Sequence, residues 1–269
     1  MGSGIAQVAA TKGIDVILLD VNEKAVKKGI DAVEGRLGRD VAKGKMTATE
    51  KETALRRIKS TTAYDSLKPV PVVIEAATED YDLKAKIFKQ VDELIGSDAI
   101  IASNTSSVSI TKLASSISHP ERFVGLHFFN PVPVMSLVEI VRGLETSDAT
   151  HDAAAALVAQ LGKSTITVKS APGFVVNRIL LPMINEAFFV LAEGYASAED
   201  IDKGMKLGCN HPIGPLALAD MIGLDVLLAV MHILHDEFAD SKYRPCPLLK
   251  ELVAAGHLGR KSGRGVFKY

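Results

Sequence analysis

The chain has 269 residues, 47% of them hydrophobic, and its 31 basic and 32 acidic side chains leave a formal charge of −1. That length suits one large domain or two moderate ones, and the near-neutral balance excludes the basic excess of a nucleic-acid binder. Cys209 and Cys246 form no C-x-x-C pair and no disulfide framework, which points to a reducing compartment and a cytoplasmic location.

Residues 3–12 predict a helix, and residues 15–20 (D-V-I-L-L-D) an apolar strand ending in Asp20. Over 23–44, Val26, Ile30, Val33, Leu37 and Val41 share one stripe at steps of three and four, the mark of an amphipathic helix. Its end is basic, with Arg36, Arg39, Lys43 and Lys45 forming either a solvated face or a phosphate receiver. A shorter helix follows over 49–59, with Thr47 or Thr49 available as its cap.

Strands are expected at 70–76, 99–102, 124–128, 137–141 and 166–168, with a helix at 83–95. Val- and Ile-rich strands without polar alternation belong to a sheet covered on both faces. Their alternation with helices implies right-handed crossovers and a doubly wound, mostly parallel α/β sheet. Beyond Pro172-Gly173 only helices are expected: 174–192, bent near Pro182, one started by Ser197 and Asp200, then 225–238 and 247–255. The chain therefore divides into an α/β domain over 1–168 and a smaller all-helical domain over 169–269.

The longest apolar segment, 216–235, is interrupted by Asp220 and Asp225. A membrane span needs about 20 apolar residues, so a buried or interface helix is the better reading. Its apolarity suggests a homodimer.

Three stretches carry chemistry. Residues 99–107 (A-I-I-A-S-N-T-S-S) form a strand that stops in small polar side chains, 123–131 (F-V-G-L-H-F-F-N-P) places His127 inside a strand, and 137–141 (L-V-E-I-V) places Glu139 where an apolar residue is the default. His127 and Glu139 are symmetric about Pro133, so strands folding back through that turn would set them face to face. A carboxylate there would fix the imidazole tautomer for proton transfer; the alternative is a core histidine beside an unrelated acid. Ser106 lacks the G-x-S-x-G elbow of a hydrolase nucleophile, which leaves its cluster as hydrogen-bond donors or as caps of the helix after Ser109. No spacing of His, Cys or acids suggests a metal site.

Residues 1–7 (M-G-S-G-I-A-Q), followed by D-V-I-L-L-D, look like the tail of a dinucleotide-binding βαβ unit, with Gly2 as its last glycine. Asp20 then stands where an acid accepts from the adenosine ribose. The alternatives are a generic helix start and a helix cap.

Taken in order, S-N-T-S-S, G-L-H-F-F-N-P, L-V-E-I-V, P-G-F-V-V-N-R and H-L-G-R-K-S-G-R-G-V-F-K-Y resemble the L-3-hydroxyacyl-CoA dehydrogenase family, its short-chain bacterial branch in particular. The resemblance implies a Rossmann-type fold, NAD as cofactor, and interconversion of short-chain L-3-hydroxyacyl-CoA, such as 3-hydroxybutyryl-CoA, with 3-ketoacyl-CoA. It implies His127 as general base, Glu139 as its partner, and Ser106 and Asn177 on the substrate oxygen. Gly2, Asp20, Glu79, Lys84, Asn104, Ser106, His127 and Lys261 fall at cofactor positions, and Arg39 and Lys43 near the coenzyme A phosphates. The family motif opens with a strand and two earlier glycines, so a natural protein longer by about a dozen residues is expected. Rival readings are a dehydrogenase of a free hydroxy acid or sugar acid, and a non-catalytic relative.

Overall fold

Short polar side chains start most of the helices, and their capping bonds set the frame. A computed structural model describes residues 1–269, which divide into two units, Met1–Ser170 and Ala171–Tyr269. The first contains α1 (Gly2–Thr11), β1 (Val16–Leu19), α2 (Glu23–Ala42), α3 (Ala48–Arg56), β2 (Ile58–Thr61), β3 (Val72–Glu75), α4 (Tyr81–Asp92), β4 (Ile100–Ser103), α5 (Ile110–Ala114), β5 (Phe123–Phe128), β6 (Leu137–Arg142), α6 (Asp148–Gln160) and β7 (Ser164–Lys169). Asn22 caps α2 by accepting from Ala25 N, and Thr47 and Glu50 cap α3 reciprocally. Ser109 caps α5, as its position ahead of an apolar run suggests.

Strands β3, β4, β5, β6 and β7 lie side by side in that order, parallel except for the antiparallel β5–β6 pair. Strand β1 pairs only with β2, and β3 only with β4 on its side, so each keeps one edge without a ladder partner. The doubly wound arrangement is thus carried by two sheets where the sequence suggests one. Ile100, Ala102, Val124, Leu126, Val138 and Ile140 pack with Ile5 and Val8 of α1 and with Ala154 and Val158 of α6. Across β5, Phe88 of α4 meets Phe123 edge-on, ring centroids 4.8 Å apart.

Gly125, in the middle of β5, is a forced choice of residue: a Cβ there would lie 2.7 Å from Val141 Cβ and 2.9 Å from Ile110 Cδ1. Gly125→Ala should therefore cost about 1–3 kcal/mol of stability through overpacking. Urea unfolding checks this; an unchanged midpoint would mean that Ile110 swings aside at no cost.

The second unit is helical: α7 (Val176–Ala192), α8 (Ala198–Gly208), α9 (Pro215–Ile222), α10 (Leu224–Phe238) and α11 (Pro247–Ala254). Pro182 lies inside α7, and Ser197 caps α8. Helices α9 and α10 meet at 98°, and no single helix is long and apolar enough to cross a membrane. The turn falls at Gly223, whose φ of 105° is open to glycine and strained for other residues.

Most apolar residues of 216–234 lie inside the unit rather than on an exposed association face, although Met221 and Val226 stay exposed. Leu216, Leu224, Leu227, Met231 and Leu234 are fully buried in the unit's own core with Ile184, Phe188 and Leu249. Two carboxylates organise this unit. Asp202 accepts from Leu216 N and Ala217 N at 2.8 and 2.9 Å, capping α9 from a distance. Asp220, 1% exposed, accepts from Val266 N and Phe267 N, each at 2.9 Å, and from the Tyr269 hydroxyl at 3.1 Å. A Cβ on Gly265 would lie 1.9 Å from that carboxylate, and one on Gly259 2.2 Å from the Asp220 carbonyl oxygen.

Candidate active site

Parallel strands deliver their following residues to one edge of a sheet. Here β3 ends in Glu75, β4 runs into Asn104, Thr105 and Ser106, and β5 carries His127 one residue before its end. The antiparallel return of β6 sets Glu139 directly opposite His127. His127 Nδ1 lies 2.7 Å from Glu139 Oε2, and the two residues are 5% and 0% exposed. This is a hydrogen-bonded pair, which removes the reading of a histidine beside an unrelated acid. The Phe129 ring lies against the imidazole, centroids 4.6 Å apart.

Asn104 Oδ1 accepts from Phe128 N at 2.9 Å, tying the end of β4 to the residue after His127. Glu79 accepts from Ser106 N at 2.7 Å, Ser106 Oγ at 3.1 Å and Thr105 Oγ1 at 2.6 Å. Thr105 Oγ1 in turn accepts from Val108 N at 2.9 Å, which holds the S-N-T-S-S segment as a compact turn. Lys84, expected beside the cofactor, is enclosed at 1% exposure, its ammonium 2.7 Å from Glu75 Oε1 and 3.6 Å from Glu79 Oε2. An ammonium that far from water needs a carboxylate partner, and Glu75 is the nearer one.

At the end of β1, Asp20 is exposed and accepts from its neighbour Val21 N, while Asn22 caps α2, so the helix-cap reading of Asp20 does not hold. Burial, together with the negative charge of Asp20, pushes the Tyr64 phenol up. Gly2 begins α1, which has no capping side chain and no acid in its first turn. Of the basic run, Arg36 is used internally: it donates to Gln7 Oε1 at 2.5 Å and to Ser3 O at 3.0 Å, and burial with the nearby Arg39 charge lowers its pKa. Arg39 and Lys43 are exposed.

In the helical unit, Asn177 is half-buried in the first turn of α7. Lys261 donates to Asp225 Oδ2 at 2.6 Å. Burial raises the Asp225 carboxyl, but the bond and charge of Lys261, together with the backbone amides of Val226 and Asp225, outweigh it and hold the group below the usual carboxylate range.

Three residues outside the sequence reading also shape the site. Glu75 anchors Lys84, and Thr105 closes the serine turn. Lys163 Nζ donates to Val132 O at 2.7 Å and Met135 O at 2.6 Å, pinning the connection between β5 and β6, with its pKa lowered by burial. Glu75 had the same signal as Glu139, a carboxylate in an apolar strand; Lys163 had none.

These groups fit a dinucleotide. The uncapped start of α1 suits a pyrophosphate, the exposed Asp20 suits ribose hydroxyls, and Glu79 and Asn104 offer polar atoms at the ends of β3 and β4.

Comparison with known proteins agrees. A family model described as 3-hydroxyacyl-CoA dehydrogenase, NAD binding domain, matches residues 1–171, and one described as 3-hydroxyacyl-CoA dehydrogenase, C-terminal domain, matches 173–269. The chain is 51% identical to a 3-hydroxybutyryl-CoA dehydrogenase of Bradyrhizobium diazoefficiens, across all of this chain and 92% of that protein. It is 50% identical to a probable 3-hydroxybutyryl-CoA dehydrogenase of Bacillus subtilis, across all of this chain and 94% of that protein. Among solved structures, an (S)-3-hydroxybutyryl-CoA dehydrogenase from Ralstonia eutropha superposes with a TM-score of 0.97 at 64% identity, covering all of this chain and 95% of that one.

Proposed function

The chain belongs to the 3-hydroxyacyl-CoA dehydrogenase family, and on that premise we propose that it interconverts L-3-hydroxybutyryl-CoA and acetoacetyl-CoA with NAD. The observation that carries this reading is the buried His127–Glu139 pair at 2.7 Å. A carboxylate on Nδ1 holds the ring in the tautomer whose Nε2 is the base. Nε2 takes the C3 hydroxyl proton in oxidation and returns it to the carbonyl oxygen in reduction. NAD, when bound, would supply the hydride acceptor for oxidation or, reduced, the donor for reduction. Ser106 would donate to the same substrate oxygen once its hydroxyl turns from Glu79, and Asn177 is the helical unit's candidate for a second donor. The burial of His127, with the Phe129 ring against it, favours this transfer.

Residues 1–168 would serve the cofactor, and 169–269 the substrate and a homodimer contact. The exposed Val175, Ile179, Met221 and Val226 support such a contact. We place the enzyme in the cytoplasm, with no nucleic-acid or membrane partner. An assay that follows NADH consumption with acetoacetyl-CoA tests the function. Turnover with free acetoacetate and none with the thioester would replace it with the free-acid reading.

NADH should be preferred over NADPH by at least about a hundredfold in kcat/KM, because Asp20 repels a 2′-phosphate and Val21 and Asn22 offer no cation to receive one. Equal values for the two cofactors would refute that role for Asp20.

Arg39→Glu with Lys43→Glu should raise KM for acetoacetyl-CoA about tenfold with kcat unchanged, the signature of lost ground-state binding. If KM stays put, the exposed end of α2 is only a solvated face.

A further inference from the structure

Burying a carboxylate and an ammonium together rarely stabilises a fold more than two apolar side chains would, so the Glu75–Lys84 pair calls for another account. Both oxygens of Glu75 are committed. Oε1 accepts from Lys84 Nζ at 2.7 Å and from Ala77 N at 2.5 Å, and Oε2 accepts from Ser103 Oγ at 2.7 Å. Each bond leads toward Glu79 or Ser106. Ala77 opens the loop that bears Glu79; Ser103 Oγ accepts from Thr105 N at 3.3 Å and so sets the turn that bears Ser106; Lys84 reaches Glu79 at 3.6 Å.

The ammonium is therefore shared unequally between two carboxylates. Glu75, 6% exposed, holds it closely, while Glu79, with a side chain 39% exposed, keeps most of its own charge at the rim of the site. From this geometry we propose that Glu75 is a positioning residue: it draws Lys84 away from Glu79, and so leaves Glu79 free to accept hydrogen bonds from the cofactor and to trade the Ser106 hydroxyl. A hydroxyl has one proton to donate, so how tightly Glu79 is held decides whether Ser106 can turn to the substrate. Without the Glu75 charge, Lys84 closes onto Glu79 and neutralises it.

The inference rests on the reading of this edge as a cofactor site, and NADH binding to the full chain, followed by fluorescence titration, tests both. Glu75→Gln keeps the shape and removes the charge; it should raise the Kd for NADH about tenfold, a coupling typical of neighbouring charged groups. In a Lys84→Met background the same substitution should change Kd by less than twofold, since the charge it acts through is gone. A purely structural role would lower the melting temperature and leave Kd alone, and that result overturns the proposal, as does an equal loss in both backgrounds. If Glu75→Gln alone does not fold, the Glu75→Gln/Lys84→Met double variant, which leaves no unpaired buried charge, is compared with Lys84→Met. Equal Kd supports the proposal, and a further tenfold loss overturns it. A wild-type chain that does not bind NADH overturns the cofactor reading and the proposal with it.

Discussion

Asparagine at position 127 should leave cofactor affinity within about twofold of wild type and lower kcat at least about a hundredfold, the scale of a lost general acid–base step. Asn retains a donor toward Glu139, so the buried carboxylate stays hydrogen-bonded and the fold is spared the cost of an unpaired charge. What it lacks is a second nitrogen able to exchange a proton. Binding by calorimetry and single-turnover kinetics separate the two quantities. Survival of kcat would reduce His127 to a core residue.

The second large effect is expected from Glu139→Gln. A glutamine amide that donates to Nδ1 forces the imidazole proton onto Nε2, where it blocks base action; a glutamine that presents its oxygen keeps the tautomer but removes the counter-charge. Either way kcat should fall roughly thirtyfold to several hundredfold with little change in KM. The double variant with His127→Asn should be hardly slower than His127→Asn alone, because the two residues act as a unit. Multiplicative losses would show that Glu139 serves the fold and not the histidine.

Much of this was readable from residue order. A carboxylate in the strand L-V-E-I-V and a histidine at an equal distance on the other side of Pro133 suggested the pairing of Glu139 with His127, because antiparallel strands joined by one turn have a register fixed by their spacing; the observed register decides it against an unrelated acid. Strand β2 was hidden, since I-K-S-T follows directly on a helix and its burial alternates too little to break the helical pattern. Helix α6, rich in alanine, shows only a weak apolar stripe, with Ala154 and Val158 buried. The apolar run at 216–234 was visible, yet apolarity does not say what covers it: the turn at Gly223 folds α9 and α10 into one core, which sequence hydropathy cannot distinguish from an interface. The burial of Lys84 was not legible, because its partner Glu75 is set by the fold rather than by helical spacing.

The contacts of Asp220 have a consequence for how relatives of this chain can vary. Its carboxylate occupies the space where a side chain at 265 would begin, and its carbonyl oxygen occupies the space for one at 259. Moving Asp220 aside would strand the amides of Val266 and Phe267 that it now satisfies. Position 265 is thus locked to the Asp220 side chain, whereas position 259 is closed by a backbone carbonyl that any residue at 220 would carry, so Gly259 admits no side chain whatever stands at 220. In an evolving population positions 220 and 265 should drift rarely and together while 259 stays glycine, a record of packing that could be mistaken for a second functional site.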